Sequence, residues 1–207
     1  MSAGCGHDTD FSGATAAYRR RLWLVIAINA GMFGVEGVAG LLSGSRALQA
    51  DALDFFADAV TYGMSLAVIG MSLRVRATAA MAKGISLLLM GLWVLASTAW
   101  GVVAQATPAA ETMGAIGFLA LLANLASVAV LMSYRDGDAN VRSVWLCSRN
   151  DAIGNIAVMI AALGVWGTAT GWPDLIVAGI MAGLFLWSAV GIIRQARGEL
   201  ARAAVAT

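Results

Sequence analysis

Two segments of the chain carry ligand-type side chains four residues apart within otherwise apolar sequence. Asp54 and Asp58 form the first pair, and Cys147 and Asp151 form the second. If each segment is a helix, residues i and i+4 lie on one face, one turn apart. Two such helices would present four ligands around one point, which is the number that a tetrahedral Zn²⁺ site uses. The four residues therefore predict a site for a divalent cation.

The types of donor in these two pairs restrict which cation would bind. A thiolate together with carboxylates suits a borderline or soft ion such as Zn²⁺ or Cd²⁺. Mg²⁺ and Ca²⁺ prefer shells made of oxygen alone. The pattern therefore favours a transition metal or a similarly soft ion.

A structural role is the alternative for individual members of this set. Cys147 by itself is more often a small apolar filler. Asp151 has Arg149 and Asn124 as alternative partners, and Asp51 would cost little near the outer interface. The two aspartates of the first pair are harder to explain in this way, because like charges one turn apart repel unless a cation or proton lies between them.

The elements that must position these residues are helices in a lipid bilayer. Of the 207 residues, 60% are hydrophobic and 12% are charged, whereas a soluble domain usually carries about 25% charged residues. A spanning helix needs about 20 mostly apolar residues. We therefore predict an all-α polytopic membrane protein with six transmembrane helices, at about 22–42, 47–73, 84–104, 112–133, 143–167 and 174–193.

Basic residues in the short loops predict the orientation, since Lys and Arg collect on the cytoplasmic side. The opposite side has little beyond Arg46. Both termini are therefore predicted to be cytoplasmic. The residues on the proposed cytoplasmic side are Arg19–Arg21, Arg74, Arg76, Lys83, Arg135, Arg142, Arg194, Arg197 and Arg202.

The predicted organisation has three parts: an N-terminal tail at 1–21, a six-helix transmembrane domain at 22–195 and a short C-terminal tail at 196–207. A disordered N-terminal tail with incidental ligands is favoured over a site that captures a cation transiently. The ligand-type residues of that tail are Cys5, His7, Asp8 and Asp10.

Further polar residues fall inside the predicted helices, where a charge costs at least about 2.5–3.5 kcal/mol on insertion scales. Glu36 is expected to serve as a proton site or as a hydrogen-bonded support. Asparagines inside membranes more often join helices than bind a substrate. The residues predicted as possible supporting or proton-coupling groups are Asp51, Glu36, Asn150, Asn155, Asn29 and Asn124.

Residues 36–59 resemble the first two helices of the cation diffusion facilitator family of metal transporters, including the paired acidic or histidine residues of its second helix. Residues 140–155 resemble the family's entry into its fifth helix, where a histidine or aspartate stands four residues before an aspartate. Residues 172–174 and 186–189 look like its sixth helix. The likeness extends over about 20–197.

The resemblance implies a six-helix fold that usually dimerises and exports divalent transition metals, commonly Zn²⁺, in exchange for protons. It places the central metal site on Asp54, Asp58, Cys147 and Asp151, with the metal as cargo and no cofactor. Cys147 stands where the family often has histidine, which shifts the expected preference towards Cd²⁺ or another thiophilic ion. The family's usual cytoplasmic C-terminal domain is not found in the sequence.

The predicted function is therefore efflux of Zn²⁺ or Cd²⁺ from the cytoplasm by proton exchange, by a homodimer formed through membrane helices in the bacterial inner membrane. The alternative is a non-transporting metal sensor or a partner subunit of a longer homologue. An enzyme is not expected, because His7 is the only histidine and hydrolytic sites based on histidine lack their base or ligands. An intramembrane protease with a catalytic aspartate pair is the remaining enzymatic alternative, but the signatures of such proteases are missing. A net charge of +1 gives no basic field for nucleic acid.

Overall fold

The computed structural model describes residues 16–68, 71–104, 106–132 and 139–205, and in the fifth helix it describes side chains from Arg149 onward. Every regular element in these ranges is an α-helix. The six helices are α1 (Ala16–Ser43), α2 (Arg46–Ala67), α3 (Leu73–Ala104), α4 (Ala110–Leu131), α5 (Ala139–Thr168) and α6 (Trp172–Val205).

The distribution of side chains is that of a protein dissolved in lipid. Large apolar side chains such as Leu42 and Trp166 are exposed, whereas Glu36 is fully buried. All the helices except α2 are long and apolar enough to cross a membrane. α2 is less apolar because it contains Arg46 and three aspartates. The chain is an integral membrane protein with an all-α polytopic fold, as predicted.

The helix boundaries follow local sequence signals at some ends and depart from the predictions at others. Gly44 has φ 73°, a left-handed conformation that suits glycine, and it joins α1 to α2. The next residue, Ser45, caps α2 by accepting a hydrogen bond from the amide of Leu48 at 3.0 Å. The predicted turn at 136–138 and the N-terminal ligand-type residues at 5–10 lie outside the described residues.

Several helix ends differ from the predicted spans. The second helix was predicted to run to residue 73, but α2 ends at Ala67 and α3 already begins at Leu73, so Lys83 lies inside α3 rather than before it. The sixth helix was predicted to end near 193, but α6 continues to Val205. Hydropathy marks where a helix leaves the lipid, and a helix with charged residues continues beyond that point in water.

α3 and α6 form a closely packed pair because α3 presents small residues to its partner. Ala77, Gly84 and Gly91 are buried and spaced seven apart, so they lie along one face of the helix. A Cβ atom at Gly84 would lie 2.7 Å from Cγ1 of Ile193, and one at Gly91 would lie 3.0 Å from Cδ2 of Leu186. Small residues at these positions let the two backbones approach, as is common between membrane helices.

α2 is the central helix, since it packs against α1, α3, α5 and α6. Its contact with α1 is close at Gly40, whose carbonyl accepts a hydrogen bond from Nε2 of Gln49 at 3.0 Å. α4 packs against α1 and α5. The central position of α2 allows its side chains to meet residues of several other helices.

The N-terminus of α2 is held by a residue at the start of α6. The Asp174 carboxylate accepts hydrogen bonds from the Ser45 hydroxyl at 2.6 Å, the Arg46 amide at 2.8 Å and the Ala47 amide at 3.0 Å. Asp174 is 1% exposed. A negative charge is favourable at a helix N-terminus, where the amides are otherwise unpaired. Asp174 therefore fixes one end of α2 to α6.

Replacing Asp174 by alanine should lower the free energy of unfolding by about 2–3 kcal/mol, because it removes a helix cap and leaves buried donors unpaired. The measurement is reversible unfolding of the purified protein in mixed detergent micelles, followed by circular dichroism. Glu111→Ala is the matched control, since Glu111 is also an acidic residue in a first helical turn but is exposed. Equal losses in the two variants would contradict this role of Asp174.

Candidate metal site

Three carboxyl groups meet between α2 and α5. Asp54 and Asp58 lie one turn apart on α2, and both are partly buried. The carboxyl of Asp151, on α5, lies next to the carboxyls of both. The structure thus brings together three of the four residues that the sequence proposed as ligands.

This group of three carboxyls requires positive charge. Carboxylates that share a site of low dielectric cannot all be ionised unless a cation or a proton lies between them. Oδ2 of Asp151 is buried, and no donor in the described part of the structure bonds it. The group therefore offers oxygen ligands that suit a metal ion, and it can hold protons when no metal ion is bound.

Cys147, the fourth proposed ligand, belongs to α5 and precedes Asp151 by one helical turn. Its side chain lies outside the described part of the structure. The described Asp, Glu, Cys and His side chains do not by themselves form a group of three that is ready to hold a metal ion. A four-ligand site therefore requires Cys147 to contribute its thiol and the three carboxyls to turn towards a shared ion.

Tyr62 supports the acidic group and was not identified from the sequence. Its hydroxyl donates a hydrogen bond to Oδ2 of Asp58 at 2.5 Å, and its side chain is 1% exposed. The spacing of four residues on a helix would have indicated this contact. The hydrogen bond orients the Asp58 carboxyl.

Lys83 adds a positive charge to the same region. Its ammonium group is close enough to attract the carboxyls of Asp54 and Asp58, and its side chain is partly buried. The sequence placed Lys83 in a cytoplasmic loop, because a lysine usually marks the edge of an apolar run. A long lysine side chain can instead extend along apolar surface from inside a helix to a polar partner.

Glu36 and Asp51 form a second acidic pair, between α1 and α2. Their carboxyls face each other, and they are 0% and 2% exposed. Among the described residues, no hydrogen-bond donor reaches either carboxyl oxygen of Glu36 or Oδ2 of Asp51. Asp51 is therefore a buried residue of the bundle and does not lie at its outer surface.

The predicted supporting asparagines differ in their surroundings. Asn29 and Asn124 are buried, and Nδ2 of Asn29 donates to a carbonyl one turn earlier in its own helix at 2.8 Å. Asn155 is fully buried, and neither polar atom of its side chain finds a partner within the described ranges. Asn150 is exposed and accepts a hydrogen bond from the exposed Arg149 at 3.5 Å. Asn150 is therefore not brought to the carboxyl group.

The family model described as the cation efflux transmembrane domain matches residues 22–201 of the chain. The matched range contains all of α2 and α5, which carry the three carboxyls. A search of curated proteins found no match.

Proposed function

The chain belongs to the cation efflux family, whose members transport metal cations across membranes, and we propose that it exports Zn²⁺ or Cd²⁺ from the cytoplasm in exchange for protons. The observation that carries the proposal is the meeting of Asp54, Asp58 and Asp151 between two helices of a lipid-embedded bundle. Together with Cys147 they supply a thiol and three carboxyls, a donor set that suits these ions.

The same groups provide the exchange. Metal ligands must be deprotonated, so a metal ion that enters the site displaces protons from it. When the site opens to the other side, protons that return to the carboxyls and the thiol compete with the metal ion and release it. Between release of one metal ion and binding of the next, Tyr62 orients the Asp58 carboxyl by donating a hydrogen bond to it. Lys83 offsets part of the negative charge of the carboxyls.

Movement of α2 against α5 would open the site to either side. Asp174 fixes the N-terminal end of α2, so displacement is expected to be larger towards its C-terminal end. We further propose that both termini are cytoplasmic, that the protein resides in the bacterial inner membrane, and that two copies associate through membrane helices. The distribution of basic residues in the sequence supports the orientation.

The test is metal uptake by proteoliposomes that contain the purified chain alone. Vesicles with an acidic interior should accumulate Zn²⁺ or Cd²⁺ while protons leave, and a proton ionophore should remove most of the uptake. Protein-free vesicles are the control. Uptake that is no faster than in protein-free vesicles would contradict transport and favour a sensor or partner subunit. Uptake at a rate that does not depend on the pH gradient would contradict only the exchange for protons and would still support metal transport.

A further inference from the structure

The Glu36–Asp51 pair borders the three carboxyls, since Asp51 acts electrostatically on Asp54 and Asp151, but neither Glu36 nor Asp51 is among the proposed ligands. Asp51 precedes Asp54 by three residues on α2, and Glu36 comes from α1, which supplies none of the proposed ligands. Two acidic side chains that come from different helices and face each other with less than 3% exposure are costly to bury. Their shared burial requires an explanation.

The lack of hydrogen-bond donors around this pair indicates what binds between its two carboxyls. As two carboxylates, Glu36 and Asp51 would only present acceptors to each other, and three of their oxygens find no donor elsewhere among the described residues. If one of the two carries a proton, that group becomes a donor to the other, and the repulsion between them disappears. A single proton therefore joins one oxygen of Glu36 to one oxygen of Asp51 and removes the repulsion without any movement of the helices.

A metal ion fits this position poorly. Glu36 and Asp51 supply two carboxyls, and neither has a cysteine or histidine one turn away in its helix, as Asp151 has in Cys147. Both side chains are enclosed, which leaves no access for the waters that would complete a coordination shell. The chemistry of the position therefore suits a proton.

We propose that Glu36 and Asp51 hold one proton between them and form a proton site separate from the metal site. The inference rests on the proposed antiport and assigns part of its proton exchange to a second place. A metal ion bound at Asp54 adds positive charge one turn away from Asp51, and this favours release of the shared proton. When the metal ion leaves, the negative charge at Asp54 favours its return.

The ionisable groups that act on this pair are few. Asp54 of α2 repels the charged form of Glu36, and Asp151 of α5 interacts with Asp51. α4, which also packs against α1, has Glu111 as its ionisable residue, and that side chain is exposed. Lys83 of α3 acts on Asp54 and Asp58. The charge at Asp54 and Asp151 is therefore the main influence on the proton of the pair.

The test counts protons released when Zn²⁺ binds to the purified protein, by calorimetry in buffers of different ionisation enthalpy at one pH. Glu36→Gln and Asp51→Asn should each release about one proton fewer per metal ion than the unaltered protein, and should bind Zn²⁺ within about threefold of its affinity. Thr98→Val is the control, since Thr98 is buried on α3 and its hydroxyl donates to the carbonyl of Val94 in its own helix. An unchanged proton count in both variants would overturn the proposal, as would loss of Zn²⁺ binding in both.

A second measurement compares infrared spectra of the metal-free protein at neutral pH. The unaltered protein should contain the absorption of protonated carboxyls. One component of it should be lost from Glu36→Gln and retained in Asp151→Asn, which alters the metal site instead. A spectrum of the unaltered protein without that absorption would overturn the proposal even if neither variant folds. Failure of the proposed function is a separate result, because it would appear in the unaltered protein as absence of metal uptake.

Discussion

Asp151→Asn should reduce the initial rate of metal uptake at least about 100-fold, because loss of an outer-shell partner already costs about 10–100-fold and Asp151 is a proposed direct ligand. An asparagine has nearly the same shape but cannot supply a second negative oxygen to a metal ion. Asp151 is also the one carboxyl that lies next to both Asp54 and Asp58. Uptake by proteoliposomes with an acidic interior provides the measurement, and Asp58→Asn should behave in the same way.

Two further variants separate loss of a ligand from general damage. Tyr62→Phe removes the hydroxyl that donates to Asp58 and should reduce uptake about 10–100-fold, as expected for an outer-shell partner. Glu111→Gln changes an exposed acidic residue of α4 and should leave uptake unchanged. Each variant must elute as the unaltered protein does in size-exclusion chromatography. Normal uptake by Asp151→Asn would contradict the assignment of the metal site.

The fold was predictable because a bilayer limits what a chain can do. Apolar runs of about 20 residues must form spanning helices, so five of the six helices follow from hydropathy, whereas α2 is less apolar because of its aspartates. Lys83 and the end of α6 were misplaced for the same physical reason. Hydropathy reports where lipid ends, and it carries no information on whether the chain stays helical in water beyond that point.

The candidate site was only partly predictable. Helical periodicity places Asp54 and Asp58 on one face, and a spacing alone was enough to draw attention to Asp151. Contacts between helices depend on how the helices pack, which the spacing of residues in the sequence does not specify. The approach of Glu36 to Asp51 and the hydrogen bonds of Asp174 to the start of α2 are of this kind.

Cys147→Ser should lower the ratio of Cd²⁺ to Zn²⁺ transport by about tenfold, because a thiolate favours soft cations far more than a hydroxyl does. Cys147→His should move the preference towards Zn²⁺, for which imidazole is a common ligand. Both variants keep the three carboxyls, so transport of Zn²⁺ should persist in Cys147→His. The measurement is uptake of each metal, alone and in competition, by proteoliposomes with the same acidic interior.

Cys5 provides the matched control for this experiment, since it is the other cysteine of the chain and belongs to the N-terminal segment. Cys5→Ser should leave the ratio of Cd²⁺ to Zn²⁺ transport unchanged. If Cys5→Ser lowers the ratio and Cys147→Ser does not, the thiol that selects the metal is in the N-terminal segment. An unchanged ratio in both variants would mean that the carboxyls of Asp54, Asp58 and Asp151 select the metal without a thiol, because oxygen ligands would then be the only donors that distinguish the ions.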